Sequence, residues 1–242
     1  MRGGILIIGS LLWDNEERDE WRRSRLYIDK KVAVQSQIRY GRRSQSRGNT
    51  FTMTFAPGGP AGQAMLVPCR SAIVDVASLF AEAEALWKAE QRNASPGRIG
   101  GSWGCVGVLF RSGAEPDGWL RAWSVHFRAK ASAISPVDEN GVLRIPWSTT
   151  TLNGAPAAVD VILATATKAE ATCPSTEDIA DAWLGQTNGY ERYFFENVRH
   201  GIRTPEDCPI WRRIEERRPG WLGNNLYAEA IAILQGEAAQ RV

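Results

Sequence analysis

A chain of 242 residues with 43% hydrophobic, 9% aromatic and 23% charged side chains has an ordinary globular composition, which excludes collagen-like, coiled-coil and disordered classes. At that length it buries a core without needing a disulfide or metal staple. The 29 Lys and Arg against 27 Asp and Glu leave a net charge of +2, too little for the phosphate attraction behind nonspecific nucleic-acid binding.

The longest early apolar run, Ile5 to Ile8, is shorter than the roughly 7–15 residues of a signal-peptide core or the roughly 20 of a membrane span, so no membrane association is expected. Cys69, Cys105, Cys173 and Cys208 are widely spaced and form no C-x-x-C pair, which reads as buried thiols in a reducing compartment, the cytoplasm. The two histidines, His126 and His200, have no His or Cys at ligand spacing, so no zinc site is expected.

The chain opens on a buried strand, Gly4 to Ile8, closed by a tight Gly9-Ser10 loop suited to holding a ligand. Asp14 to Arg25 is dense in charge and reads as an exposed excursion or irregular helix anchored by Trp13 and Trp21. A strand follows over Lys31 to Tyr40, then a basic turn from Gly41 to Asn49. Phe51, Met53 and Phe55 alternate with Thr50, Thr52 and Thr54, which predicts a half-buried strand. Pro57-Gly58-Gly59-Pro60 breaks the chain before a further strand, Gly62 to Val67, expected to pair with the preceding one as a hairpin.

Val76, Leu79, Phe80, Ala83, Leu86 and Trp87 recur at helical spacing and predict a helix from Asp75 to Gln91 with its stripe on the sheet. Asn93 to Gly101 is loop, and Trp103 to Phe110 is strand. Trp119 to Ala129 reads as another strand from the alternation of Trp123, Val125 and Phe127, and Ala157 to Thr165 as a buried one. Helix-start signals crowd the last third: Ser175 with Asp178, Asn188 with Glu191, and Thr204-Pro205 with Asp207. A final helix from Asn225 to Leu234 is expected to end at Gly236. Strands first and helices later indicate an α+β class. The expected organisation is one domain over 1–242, with a core region over 1–110 and a helical part over 175–236 packed on it.

Three features bear on chemistry. Gly100-Gly101-Ser102-Trp103-Gly104 satisfies G-x-S-x-G, with His126 or His200 as conceivable base, but a nucleophile elbow needs a strand before the Ser and a helix after it, and here a loop precedes and a strand follows. Arg39, Arg42, Arg43 and Arg47, with Tyr40, form a cluster able to clamp a carboxylate or phosphate, or simply a solvated basic turn. Glu90, one turn beyond Leu86 and Trp87, projects from the buried stripe, where lost hydration raises a carboxyl pKa toward general acid/base use.

The order of these pieces resembles the gamma-glutamyl cyclotransferase superfamily, in its ChaC-like branch. Ile8-Gly9-Ser10-Leu11 stands where that family has Y-G-S-L after its first strand. Arg39-Tyr40, Ser44 and Arg47-Gly48 fit R-F-x-x-x-S-x-x-R-G at the right spacing, and Gly62 to Val67 leads into a helix ending at Glu90, the family's acid/base position. Asn188 to Ile202 is loosely similar to a late family helix, while 111–175 match no part of it.

The resemblance implies a small mixed β-barrel with flanking helices and a helical C-terminal third. It also implies release of 5-oxoproline from a γ-glutamyl peptide or amine without cofactor or metal. Glu90 would be catalytic, and Ile8, Gly9, Ser10, Leu11, Arg39, Tyr40, Ser44 and Arg47 would bind the substrate. The partner implied is a small molecule, with no nucleic acid. Ile8 replaces the family Tyr, and Gln91-Arg92-Asn93 departs from the family's sequence after the Glu, which leaves the γ-glutamyl compound open. A noncatalytic metabolite-binding module on the same fold is the alternative.

Overall fold

The computed structural model describes residues 1–14, 16–130, 134–147 and 159–240. These build six strands, β1 (Arg2–Ile7), β2 (Val32–Ser44), β3 (Thr50–Phe55), β4 (Ala61–Ala72), β5 (Gly104–Phe110) and β6 (Val161–Thr167). The helices are α1 (Glu16–Arg25), α2 (Val76–Glu90), α3 (Trp119–Lys130), α4 (Thr176–Leu184), α5 (Arg192–Arg199), α6 (Asp207–Arg217) and α7 (Ala228–Gln240).

The strands form one mixed sheet in the order β3-β2-β4-β1-β6-β5, antiparallel except for the β1–β6 pair. It curls far enough for the Thr54 hydroxyl on β3 to donate to the Thr167 carbonyl on β6 at 3.0 Å. The outer strands β3 and β5 do not pair, so the sheet is a half-barrel where a barrel was expected.

Curling explains why β3 is buried on both faces despite its Thr/apolar alternation: the threonines point into the concave side and find partners there. The expected β3–β4 hairpin does not form. β3 pairs with β2 over Ile38–Ser44, and β4 with β2 over Val32–Gln37. Ala56 still donates to the Gln37 carbonyl, so the Pro-Gly-Gly-Pro break carries the chain from one edge of β2 to the other. The basic turn is likewise shorter than expected, because β2 continues to Ser44 and only Gln45–Arg47, a 3-10 turn ending in Gly48 at φ 60°, leaves the strand.

α1 is a regular ten-residue helix rather than an irregular excursion. α2 has its N-cap at Asp75 with a capping box to Ser78, and buries Leu79, Ala83, Leu86 and Trp87. Trp119 to Ala129 is a correction: it forms helix α3, with Trp123 and Phe127 buried one turn apart and Val125 69% exposed. Three alternating positions do not separate period 2 from period 3.6, and the spacing of the two buried rings decides it. Ala157 and Ala158 lie outside the described residues, and the strand expected there is β6.

Ser175 caps α4 reciprocally with Asp178. Asn188 caps nothing, since α5 begins at Arg192, and Thr204 bonds Asp207 just ahead of α6. α7 begins later than expected and runs through Gly236 to Gln240. A glycine inside a helix costs only about 1 kcal/mol, which the packing of Ala230, Ile231 and Leu234 outweighs. The late helices share the core of the sheet: Tyr40 of β2 meets Trp183 of α4 edge-on at 5.0 Å, and Phe194 of α5 lies 5.4 Å from Trp183. No helix among the described residues is long and apolar enough to cross a membrane.

Candidate active site

A cavity of about 260 Å³ opens on the concave side of the sheet. Its wall brings together the end of β1 and the following turn, the distal parts of β2 and β3, the end of α2, Trp103, β6 and α5.

The turn is set by sequence. The apolar run through Ile8 is held in the core, and Gly9, in extended backbone at φ −175°, leads into a 3-10 turn over Ser10–Leu12. A Cβ at Gly9 would lie 2.6 Å from the Tyr193 hydroxyl, so the close approach of α5 requires glycine here. The turn's internal bonds use the amides of Leu12, Trp13 and Asp14, while those of Gly9, Ser10 and Leu11 donate to no backbone carbonyl among the described residues. Arg22 of α1, buried, clamps the turn from behind by donating to the Leu11 carbonyl at 2.6 Å and the Asp14 carbonyl at 3.1 Å.

Glu90, the last residue of α2, lines the cavity with its side chain 17% exposed. Burial pushes its carboxyl above the ordinary carboxylate value, and Arg18 leads the opposing influences, followed by Thr165, Arg47 and Arg42. The Arg18 guanidinium lies 3.6 Å from the carboxylate and also donates to the Ala89 carbonyl at 3.3 Å. The buried Thr165 hydroxyl on β6 stands beside the carboxyl without a hydrogen bond of normal geometry.

Arg18 and Arg47 converge on one oxygen. They donate to Ser10 Oγ at 2.9 and 3.0 Å, and both reach Asp14 Oδ2, at 2.9 and 3.3 Å. Two donors occupy the acceptor capacity of the Ser10 hydroxyl, which leaves its own proton to offer. The Arg47 guanidinium also sits 5.1 Å from the centre of the Tyr193 ring, whose hydroxyl accepts from the Met53 amide at 3.1 Å.

Of the sequence-predicted residues, Ile8, Gly9, Ser10, Leu11, Ser44, Arg47 and Glu90 line this cavity. Arg39 and Tyr40 do not. Tyr40 faces the opposite side of β2, among Trp183 and Phe194. Arg39 stands opposite Thr54, where β6 already closes over the strand, short of the cavity. A bulge between Tyr40 and Arg42 makes the difference: the extra residue, Gly41, turns Arg42 and Ser44 onto the cavity side.

Of the basic cluster read from the sequence as an anion clamp, Arg42 and Arg47 reach the cavity and Arg39 and Arg43 do not; Arg42 stood outside the binding set that the resemblance implies, and sequence reasoning missed Arg18, Thr165 and Tyr193. The charge density of 14–25 was the only signal for Arg18, and nothing local marks Thr165. Ser102 is exposed ahead of β5, while His126 stacks on Phe80 at 4.1 Å and His200 pairs with Glu196, so no helix follows the serine and neither histidine lines the cavity. Among the described residues no group of His, Cys, Asp and Glu side chains is placed to hold a metal ion.

The chain matches no protein-family model, no curated protein and no solved structure. The site combines one carboxyl of raised proton affinity, a turn whose first three amides have no backbone acceptor among the described residues, and three guanidinium groups around a small cavity.

Proposed function

We propose that this cavity is the active site of a cyclotransferase acting on γ-glutamyl compounds, and that the half-barrel with its flanking helices is a variant of the gamma-glutamyl cyclotransferase fold. The observation that carries the reading is the presence of Glu90 and the Gly9–Leu11 turn in one cavity. Glu90 takes a proton from the substrate α-ammonium, and the freed amine attacks the γ-carbonyl carbon. The amides of Gly9, Ser10 and Leu11 receive the resulting oxyanion. Glu90 then returns the proton to the departing nitrogen as the original C–N bond breaks, and the second proton left on the ring nitrogen passes by the same carboxylate to the freed amine, giving 5-oxoproline and an ammonium product. Arg18, Arg47 and the Ser10 hydroxyl hold the α-carboxylate. Each bond change is accounted for by the substrate and one carboxyl, so no cofactor is invoked. Three of the four cysteines expected to be buried are so, Cys173 is exposed instead, and free thiols of this kind suit a reducing compartment such as the cytoplasm.

The second reading, a noncatalytic site for an anionic metabolite, is favoured by one observation: three guanidinium groups line the cavity against a single carboxyl. Mass-spectrometric detection of 5-oxoproline after incubation with glutathione, γ-glutamyl amino acids and γ-glutamyl amines separates the two. Product from any of them supports the enzyme. Saturable binding without product supports the module.

Both readings place ligand against the Gly9 turn. Gly9→Val is therefore expected to weaken binding of γ-glutamylglycine by at least roughly tenfold, because the new side chain meets the Tyr193 hydroxyl and fills the space the ligand needs. Calorimetric titration with unchanged affinity would remove the turn from the site.

A further inference from the structure

Arg42 differs from the other two cavity arginines. Arg18 and Arg47 are both engaged by Asp14 and Ser10. The Arg42 guanidinium has no hydrogen-bond or ion-pair partner among the described residues; its neighbour is the Trp103 ring, 4.8 Å away. That ring is fixed from two directions. It stacks on Trp87 at 4.9 Å and donates its Nε1 hydrogen to Gln91 at 2.8 Å. The bulge at Gly41 delivers Arg42 onto this platform, at the cost of partly dehydrating a cation that no protein carboxylate compensates directly.

Charge accounting gives the same answer. Arg18, Arg42 and Arg47 face Glu90 within the cavity, and Asp14 offsets one guanidinium from outside it, so an excess positive charge remains even with Glu90 ionised. A γ-glutamyl head group brings one ammonium and one carboxylate and changes nothing. The uncompensated cation calls for a second anion, on the other half of the substrate.

We infer that Arg42, seated on Trp103, is a subsite for an anionic group on the leaving half of the substrate, and that it selects γ-glutamyl compounds whose leaving amine carries an acid over those with neutral amines. This rests on the cyclotransferase reading for what the cavity does, but the subsite is tested separately from turnover. Gln91, adjacent in sequence to Glu90, and Trp103 form the wall along which the leaving half reaches Arg42. Because a carboxylate and a phosphonate share the required charge and acceptor oxygens, either serves.

The experiment compares γ-glutamylglycine, γ-glutamyl-aminomethylphosphonate and γ-glutamylglycinamide, the last lacking the anion. Both 5-oxoproline formation and binding are measured, the latter by tryptophan fluorescence. The two acids are expected to exceed the amide by roughly tenfold to a hundredfold in kcat/KM and in affinity, the range of a charge-assisted hydrogen bond. Arg42→Gln is expected to bring that ratio to within about threefold of unity, and Arg42→Lys to keep part of it. Arg43→Gln, one residue along with its guanidinium over Phe51 outside the cavity, leaves the ratio intact and controls for strand damage.

Equal use of acid and amide by the wild type overturns the subsite. So does an Arg42→Gln protein, or Arg42→Lys if the former does not fold, that loses acid and amide alike. Undetectable binding of all three probes overturns it as well. If no probe is turned over yet the acids bind more tightly and Arg42→Gln abolishes the difference, the subsite stands and the cyclotransferase reading falls.

Discussion

Glu90→Gln is expected to lower 5-oxoproline formation by roughly a hundredfold to ten-thousandfold, because the amide keeps the shape of the carboxyl but neither accepts nor returns a proton. The same side chain sets the pH profile. As a base Glu90 works ionised, and burial raises its proton affinity above the ordinary value of 4.5, so kcat/KM is expected to fall as the pH drops through that raised value. An acid limb at or below 4.5 would contradict the burial argument.

Stability moves the other way. A carboxyl that binds its proton more tightly in the folded chain than in the unfolded one adds stability below 4.5 and loses it as pH rises through the raised value. At neutral pH the ionised Glu90 therefore costs stability, and Gln removes that cost. The melting temperature of the variant is expected to equal or exceed that of the wild type, and a clear drop would mark Glu90 as structural.

Asp207→Ala is expected to destabilise the fold by about 3 kcal/mol. Asp207 is fully buried at the head of α6. One carboxylate oxygen accepts from the Arg203 Nε at 2.8 Å and the Thr204 amide at 3.0 Å, the other from the Thr204 hydroxyl at 2.6 Å. Arg203 also pairs through both terminal nitrogens with Glu237 of α7, and its backbone exchanges hydrogen bonds with Gln63 of β4. Alanine strips three donors of their acceptor and leaves a buried guanidinium with one partner fewer.

Burial also raises the Asp207 carboxyl above its ordinary value, with Arg203 and Thr204 opposing it, so its ionised form is itself costly. Asn at 207 keeps an acceptor and sheds the charge, and its cost is expected to be under half that of Ala. Urea unfolding at neutral pH measures both. An Ala variant within about 0.5 kcal/mol of wild type would show that Glu237 alone suffices for Arg203.

Much of the site is legible along the chain where the side chains act close to their own sequence. The Gly9-Ser10 turn follows from a buried apolar run closed by a small-residue pair, and Glu90 follows from a helical stripe that carries the last turn of α2 to the sheet. The Ser175 cap is legible for the same reason, since it bonds a residue three positions on. Arg39 and Tyr40 show where that reasoning stops. Strict alternation cannot tell which of two faces lies on the cavity, and a one-residue bulge exchanges them.

Trp119 to Ala129 fails for a related reason. Apolar residues at 123, 125 and 127 satisfy a strand, and only the neighbours that bury Trp123 and Phe127 while leaving Val125 in solvent select the helix. Arg18 and Thr165 were out of reach of sequence reading, because they approach Glu90 from 72 and 75 positions away along the chain.

By itself the sequence determined the α+β class, the first strand and the tight turn after it, the long helix with Glu90 at its end, and the Ser175 cap. Periodicity and capping are local, and a few residues suffice to express them. Only the tertiary structure decided that the sheet curls without closing, that β4 leaves β3 to pair with β2 and β1, and that Arg42 rather than Arg39 enters the cavity. Each of those depends on which distant strand or helix covers a face, and that is fixed by packing of the whole chain rather than by any segment of it.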